Sequence, residues 1–265
     1  MGPNSGSDEG AGSGSTAGSG IKATETTFAI VDALADRERA RLTEIADAVD
    51  VANSTASDHL RTLRDHGYVV AEEDGYRLGL KFMDTGERAK RHYRDLLEAA
   101  DPVLEQLVAE TGETVNLVAE ENGRGVYVDR RVGERGVPTD SWVGRGKPLH
   151  TISAGKAILA ELPEERRAEL LEGGLAGVSD RTITSPADLE DELAAVQEEG
   201  VAFNDRESHE RIRAVGAPIV LEGDVYGAVS VAGPAKRLTG SYFREEIPDL
   251  LLGAVNEIEL KLAYR

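Results

Sequence analysis

Hydrophobic residues recur with helical spacing in three successive segments between Ile21 and Gly67. Apolar side chains three and four residues apart lie on one side of a helix. Gly67, directly after the third segment, is typical of a helix end. We therefore predict three consecutive amphipathic helices, the third over residues 54–66. The positions expected to share a face are Phe28, Val31, Leu34 and Ala35, then Leu42, Ile45, Ala46 and Val49, then Ala56, Leu60 and Leu63.

A hairpin signal follows the third helix in the stretch YVVAEEDGYRLGL. Two β-prone runs flank Asp74-Gly75, and an Asp-Gly pair in that setting favours a tight turn. The predicted order is helix, helix, turn, helix, hairpin over residues 21–81. That order is the pattern of a winged helix-turn-helix domain, with the helix-turn-helix at about 42–61.

The remaining chain divides into a tail, a linker and a second domain. Residues 1–20 are rich in Gly and Ser and are expected to be disordered. A linker helix is predicted over 82–95, and Pro102 is expected to interrupt the helix that continues from it. The second domain is predicted over 96–265.

The second domain combines β-hairpins with helices. Hairpins are expected around Asn122-Gly123 and Gly223-Asp224. Helices are expected at SAGKAILAEL and PEERRAELLEG, then from Pro186 to Gly200, and at the end of the chain, where Pro248 would introduce a kink. This is a mixed α/β domain of the size of a ligand sensor, so the whole chain is assigned to the α+β class.

Charge changes the expected environment more than the fold. The chain holds 7 Lys and 23 Arg against 49 Asp plus Glu, a net charge of −19. Spread along the chain, these acids suit a cytoplasm of very high salt; the alternative is a basic partner. The absence of cysteine excludes disulfides and thiolate metal sites, and no apolar run is long enough for a membrane span. We expect a cytoplasmic protein without a cofactor.

The third helix carries the polar groups expected to contact DNA. Its N-terminal end would enter a major groove, where hydroxyl, amide and guanidinium groups meet phosphates and base edges. The alternative is local: Asn53 and Ser54 are good N-caps, Thr43 can cap the preceding helix, and Arg61 can pair with Asp58 or Asp65. The candidate DNA contacts are Thr43, Asn53, Ser54, Thr55, Ser57, Asp58, Arg61, Thr62 and, in the hairpin, Arg77.

Four segments, in order, resemble the IclR family of transcriptional regulators. They are LTEIADAVDVANSTASDHLRTLRDHGYV, YRLGLKFMDTGERA, GRGKPLHTISAGKAILA and GVAFNDRESHERIRAVGAPIVLEGDVYGAVSVAGPAKRLT. The resemblance covers about residues 21–265 and implies a winged helix-turn-helix followed by a GAF-like effector-binding domain. It further implies a homodimer or tetramer on promoter DNA and a small effector, such as a carboxylate or a sugar derivative. Phe28 and the linker are our candidate dimer contacts.

Three residues depart from the family pattern. Asp50 stands where the family usually turns on Gly, Asp58 where a basic residue is common, and Asn53 where a basic or polar residue is usual. These departures bear on the base contacts and not on the fold.

The resemblance places the effector pocket near Ser153, Ala154, Asn204, Ile212 and Ala214. The residues themselves add that Ser153, Ala154 and Gly155 would open a helix, whose free N–H groups favour an anion. Arg213 is a further candidate for a charge contact, and Ser153 as a simple N-cap is the alternative.

Two other functions are compatible with parts of the sequence. An enzyme would need a catalytic motif, and the chain lacks HExxH and GxSxG; Glu207 with His209 is the only suggestion of a metal pair, with no convincing third ligand. A winged-helix protein-interaction module that no longer binds DNA would explain Asp58 and the excess of acids in residues 21–90, which hold 14 Asp/Glu against 10 Lys/Arg.

Overall fold

The computed structural model describes residues 20–137, 139 and 141–264, which form two compact units with a boundary between Glu87 and Arg88. The predicted disordered tail, apart from Gly20, lies outside the described residues. No helix in the described part of the chain is long and apolar enough to cross a bilayer.

The N-terminal unit has the predicted order of elements. These are α1 (Lys22–Ala35), α2 (Leu42–Ala48), α3 (Asn53–Asp65), β1 (Val69–Glu72), β2 (Gly75–Leu78) and the first part of α4 (Lys81–Lys90). Its core holds Ile30, Leu34, Ile45, Leu60 and Leu63. The predicted faces of α2 and α3 are confirmed, but the face of α1 is rotated. Ile30 is buried there, whereas the predicted Phe28 is 64% exposed.

Two turns in this unit place α3 and the hairpin. Asp50, between α2 and α3, adopts a left-handed backbone with φ 52°, which explains why glycine suits this position. Aspartate is among the few other residues that tolerate this conformation. The hairpin turn consists of Glu73 and Asp74, and Gly75 is the first residue of β2, so the turn lies one residue earlier than predicted.

The capping predictions for α2 and α3 were wrong. The N-cap of α3 is Ala52, so Asn53 and Ser54 lie in the first turn and do not cap it. The N-cap of α2 is Arg41, whose N–H donates to the Glu44 carboxylate at 2.7 Å, and Thr43 lies inside the helix.

The helical segment that follows the hairpin is interrupted before Pro102 and not at it. A short 3-10 turn at Arg91–Tyr93 separates α4 from α5 (Arg94–Thr111). Pro102 lies inside α5 on its exposed side, where the carbonyl that loses its partner can be hydrated. The predicted break at Pro102 was therefore wrong.

The C-terminal unit is built on an antiparallel sheet. In its described residues the strands are β3 (Thr114–Glu121), β4 (Arg124–Val132), β5 (Gly146–Pro148), β6 (Ala202–Asp205), β7 (Ile212–Leu221) and β8 (Asp224–Pro234), in the order β5-β4-β3-β8-β7-β6. The helices are α6 (Ser153–Glu161), α7 (Glu164–Leu171), α8 (Pro186–Glu199) and α9 (Ile247–Ala263). Helices α5 and α9 cover one face, and α6 and α8 pack on the other.

Each predicted hairpin turn of the C-terminal unit lies within one residue of its expected position. Asn122 and Gly123 both have positive φ, at 51° and 79°, and form the predicted turn between β3 and β4. The β7–β8 turn is Glu222-Gly223, one residue earlier than expected. Pro248 lies in the first turn of α9, directly after a π-helical turn at Tyr242–Glu246, where a missing N–H costs little. Strand β5 was not predicted.

Helix α6 packs against its neighbours at backbone distance. A Cβ at Gly155 would lie 2.1 Å from the carbonyl oxygen of Leu149, which belongs to the 3-10 turn before the helix. A Cβ at Gly216 on β7 would lie 2.7 Å from the amide nitrogen of Ala154. The missing side chains therefore allow the N-terminus of α6 to approach the middle of the sheet.

A buried ion pair fixes the same helix from its other side. Lys156 is fully buried, and its Nζ donates to Glu192 on α8 at 2.7 Å and to Glu207, after β6, at 2.8 Å. Burial raises the pKa of the Glu207 carboxyl, while the Lys156 ammonium opposes that rise. The three side chains tie α6, α8 and the segment after β6 together.

Substituting Gly155 with Ala should destabilise the protein by roughly 2 kcal/mol, because the new methyl group overlaps the Leu149 carbonyl. The matched control is Gly253→Ala in α9, where nothing lies within 4 Å of the added Cβ. That variant should gain up to about 1 kcal/mol from helix propensity. Urea unfolding measures both, and equal shifts would contradict the close packing of α6.

Glu207→Gln should lower the free energy of unfolding by about 3 kcal/mol, because it removes one partner of a buried ion pair. Glu169→Gln is the control: its partner Arg166 lies at 3.0 Å, but the two side chains are 44% and 57% exposed. Loss of that surface pair should cost less than about 1 kcal/mol. A Glu207 variant as stable as the control would show that Lys156 does not need this partner.

Candidate functional site

The outer face of α3 presents the polar side chains that the sequence singled out. Asn53, Ser54, Thr55, Asp58 and Arg61 are exposed, while the apolar stripe of the same helix faces the core. Thr62 is also exposed, Ser57 is half-buried, and Thr43 is exposed in the first turn of α2. The structure therefore brings the α2 and α3 candidates to the surface of one unit.

The polar groups on α3 fall into paired and unpaired sets. Asp58 Oδ1 lies 2.8 Å from the guanidinium of Arg61, whereas Asp65 pairs with Arg64 at 3.4 Å. The expected alternative pair between Arg61 and Asp65 is not formed. The Thr62 hydroxyl donates to the Asp58 carbonyl at 3.0 Å. Among the described residues, the side chains of the other four α3 candidates make no hydrogen bond, so they are available to a partner; these are Asn53, Ser54, Thr55 and Ser57.

Arg77 on β2 is held within the hairpin. Its Nε donates to Glu72 on β1 at 2.6 Å and its NH1 to the Leu78 carbonyl at 3.2 Å. Arg39, from the loop before α2, contacts the same Glu72 at 3.5 Å and also pairs with Asp74. Arg77 and the neighbouring Arg39 thus already have carboxylate partners.

A cavity of about 520 Å³ opens on the α6 side of the sheet in the C-terminal unit. Its floor is formed by strands, one wall by the N-terminus of α6, and the others by loops after β4 and β6. The described lining residues are Asn116, Tyr127, Val137, Thr139, Ser141, Lys147, Ile152, Ser153, Ala154, Asn204, Ser208, His209, Arg211, Ile212, Ala214, Ser230, Ala232 and Pro234.

Five of the seven predicted effector residues line this cavity: Ser153, Ala154, Asn204, Ile212 and Ala214. Gly155 does not line it and has the packing role described above. Arg213 also lies elsewhere, because alternate residues of β7 face opposite sides of the sheet.

The Arg213 guanidinium is engaged on the far side of the sheet. It donates to Asp205 at 2.7 Å and to the Leu238 carbonyl at 2.8 Å, and it lies 5.1 Å from the centre of the Phe243 ring. Hydrogen bonding to Arg213 holds the pKa of the Asp205 carboxyl well below its usual range. Arg213 therefore braces β6 against β7.

Asn204 and Ser153 contribute differently to the cavity wall. Asn204 is buried, and its side-chain Nδ2 donates to the Thr151 carbonyl at 2.8 Å. Its side-chain Oδ1 accepts from the Glu207 backbone N–H at 3.2 Å. Its hydrogen bonds hold the cavity wall together and are made within the protein. Ser153 follows the N-cap Ile152 and caps nothing, so the simple N-cap interpretation was wrong; its hydroxyl has no hydrogen-bond partner among the described residues.

Asn116 and Ser230 were missed by sequence reasoning. They are register partners on β3 and β8, and the Asn116 amide nitrogen lies 3.4 Å from the Ser230 hydroxyl. Asn116 is 2% exposed, and its Oδ1 has no partner among the described residues. A polar residue flanked on both sides by apolar residues, VNL in β3 and VSV in β8, was the available signal.

The charge of the cavity wall differs from that of the chain. Lys147 and Arg211 line it together with His209, and none of its described lining residues is Asp or Glu. The first-turn amides of α6 add partial positive charge on the same wall. This surface is suited to an organic anion.

The suggested metal pair is not formed. Glu207 is occupied by Lys156, and His209 Nδ1 accepts from the Arg211 N–H at 3.1 Å. In the described part of the chain, no group of three or more His, Asp or Glu side chains could hold a metal ion.

Comparison with known proteins matches both units. The model "IclR helix-turn-helix domain" covers residues 23–73, and "Bacterial transcriptional regulator IclR C-terminal" covers 89–260. A relative from Halobacterium salinarum, "Probable HTH-type transcriptional regulator ArcR", is 38% identical over 239 residues, which are 88% of this chain and 90% of that protein.

Two solved structures share the fold. The Thermotoga maritima IclR has 30% identity and a TM-score of 0.74, with 92% of this chain and 98% of that chain covered. An IclR homolog from Microbacterium hydrocarbonoxydans, complexed with 4-hydroxybenzoate, has 23% identity and a TM-score of 0.77, with 92% and 100% covered. The chain thus belongs to the IclR family, and it is a DNA-binding transcriptional regulator with a C-terminal effector domain, not an enzyme.

Proposed function

We propose that the cavity binds a small organic anion and that this binding changes the occupancy of promoter DNA. The observation that carries the proposal is the charge of the wall, with Lys147 and Arg211 present and no described acidic side chain, in a chain of net charge −19. Burying a carboxylate requires compensating charge or hydrogen bonds, and this wall supplies both.

The lining suggests how such a ligand would lie. A carboxylate would meet the first-turn amides of α6 at Ser153 and Ala154, with Arg211 nearby. Asn116 and Ser230 on the floor would hydrogen-bond a hydroxyl or second polar group, and Tyr127 would contact the apolar body. A hydroxylated carboxylic acid or a sugar acid has this distribution of groups. The 4-hydroxybenzoate in the Microbacterium structure is of this class.

On the DNA side, we propose that the α3 face contacts a major groove. Asn53, Ser54, Thr55 and Ser57 would offer unpaired polar groups, and Arg61 would contact a base edge or phosphate. Thr43, Thr62 and Arg77 would contact the sugar–phosphate backbone of the DNA. A homodimer, or a tetramer made of two dimers, would place one α3 on each half of a pseudo-palindromic site.

The effector would control promoter binding because its affinity differs between two arrangements of the DNA-binding units. The linker α4 is our candidate for the element that changes. The regulated genes would serve the breakdown of the effector, a sugar or an organic acid. The Halobacterium relative and the acidic composition support a host with high internal salt.

The effector proposal predicts that small carboxylates bind and that their neutral amides do not. Trp142, the only tryptophan, directly follows the cavity residue Ser141, so its fluorescence reports binding. We expect 4-hydroxybenzoate or another member of a carboxylate panel to bind about tenfold more weakly to Arg211→Gln, because a charge-assisted contact is lost. Arg166→Gln on α7 is the control. Equal affinity for the matching amide would contradict the proposal.

The Asp58–Arg61 pair predicts how two variants will differ on DNA. If Asp58 braces Arg61, Asp58→Ala should weaken binding about two- to fivefold at every site, as loss of an exposed pair would. Arg61→Ala should cost about tenfold or more and relax the preference at one base pair. Sites selected from random DNA measure both, with Asp65→Ala as control. A relaxed base preference in Asp58→Ala would instead make Asp58 a base contact.

A further inference from the structure

The hairpin of the N-terminal unit, β1 and β2 with their turn, carries a small network of opposite charges. Glu72 accepts from Arg77 at 2.6 Å and lies 3.5 Å from Arg39, and Arg39 also pairs with Asp74. Glu72 is therefore the shared partner of two arginines that come from different parts of the chain.

This network is open to solvent. The side chains of Arg39 and Arg77 are 46% and 40% exposed, and that of Glu72 is 33% exposed. Exposed ion pairs contribute little to stability, so an incoming phosphate can displace a carboxylate at small cost. The carboxylates of this network therefore do not hold the arginines permanently. They compete with DNA phosphates for the same guanidinium groups.

We propose that Glu72 masks Arg77 of the hairpin and Arg39 beside it, and thereby sets the strength and the salt dependence of DNA binding. When a phosphate takes Arg77, the Glu72 carboxylate lies beside that phosphate and keeps only its longer contact to Arg39, at 3.5 Å. A cation from solution must then screen the two negative groups. The counterion that the arginine releases from DNA is offset by this uptake, so the net release per contact falls.

On α3 the Asp58 carboxylate lies 2.8 Å from Arg61, with both side chains at least 60% exposed, but Asp58 serves this one arginine and is expected to position it. Arg39 and Arg77 instead share Glu72. Sequence-independent attraction to phosphate is therefore weakened at Arg39 and Arg77. More of the specificity must then come from fit in the groove and from contacts to base edges.

The chain offers a matched pair of variants for the test. Glu72→Gln frees two arginines, whereas Glu73→Gln removes the same charge from the next residue, which has no partner among the described residues. Binding of each full-length variant to a selected operator is measured against KCl concentration. Thermal unfolding of both variants verifies that the fold is retained.

We expect Glu72→Gln to bind about two- to fivefold more tightly at the lowest salt tested, as the loss of a competing surface pair allows. The plot of log K against log [KCl] should steepen by about one for each arginine that now binds phosphate without cation uptake. Glu73→Gln should leave the slope unchanged. Adding Arg77→Gln to Glu72→Gln should remove most of the gain.

Equal behaviour of Glu72→Gln and Glu73→Gln would overturn the proposal, because net charge alone would then explain the effect. An unchanged slope in Glu72→Gln would overturn it as well. The measurement needs no effector, so its outcome is independent of whether the cavity binds an organic anion.

Discussion

The packing of α6 against the sheet is the contact on which the C-terminal unit depends. Gly155 and Gly216 remove the side chains that would separate the helix from the Leu149 turn and from β7. Lys156 then fixes the helix from within through Glu207 and Glu192. Because the helix begins at the middle of the sheet, its free amides face the cavity. The cavity wall at Ser153 and Ala154 follows from this close approach.

The cavity and the DNA-binding surface differ in how acidic side chains are arranged around a proposed anion site. Both are proposed to meet an anion, on a chain with 19 more negative than positive charges. At the cavity, the described wall carries no acidic side chain. On the DNA-binding unit, Asp58, Glu72 and Asp74 lie among the candidate contacts but are paired with Arg39, Arg61 and Arg77. Exclusion of acids suits a buried ligand, whose charge cannot be screened by salt, while pairing suits an exposed surface, where screening is strong.

Adjacent residues in the same strand have unrelated roles because of the pleat. Ile212 and Ala214 line the cavity, whereas Arg213 between them holds Asp205 on the opposite face. Glu207 and His209 lie in the loop after β6, where Glu207 is tied to Lys156 and His209 lines the cavity wall. Proximity in sequence suggested an effector contact for Arg213 and a metal pair for Glu207 and His209. In the structure, Arg213 faces away from the cavity, and Glu207 and His209 have different partners.

The sequence by itself determined the features that depend on local periodicity and turn chemistry. These include the three helices, the turn at Asn122-Gly123, the start of α8 at Pro186 and the family resemblance. Only the tertiary structure decided the partners: Asp58 with Arg61, Glu72 with two arginines, Lys156 with Glu207, and Asn116 opposite Ser230. Helical spacing and turn preferences act over a few residues. Which ion pair forms, and which polar group remains unpaired, depends on residues far apart in the chain, such as Asn116 and Ser230, 114 positions apart, which only the folded sheet brings together.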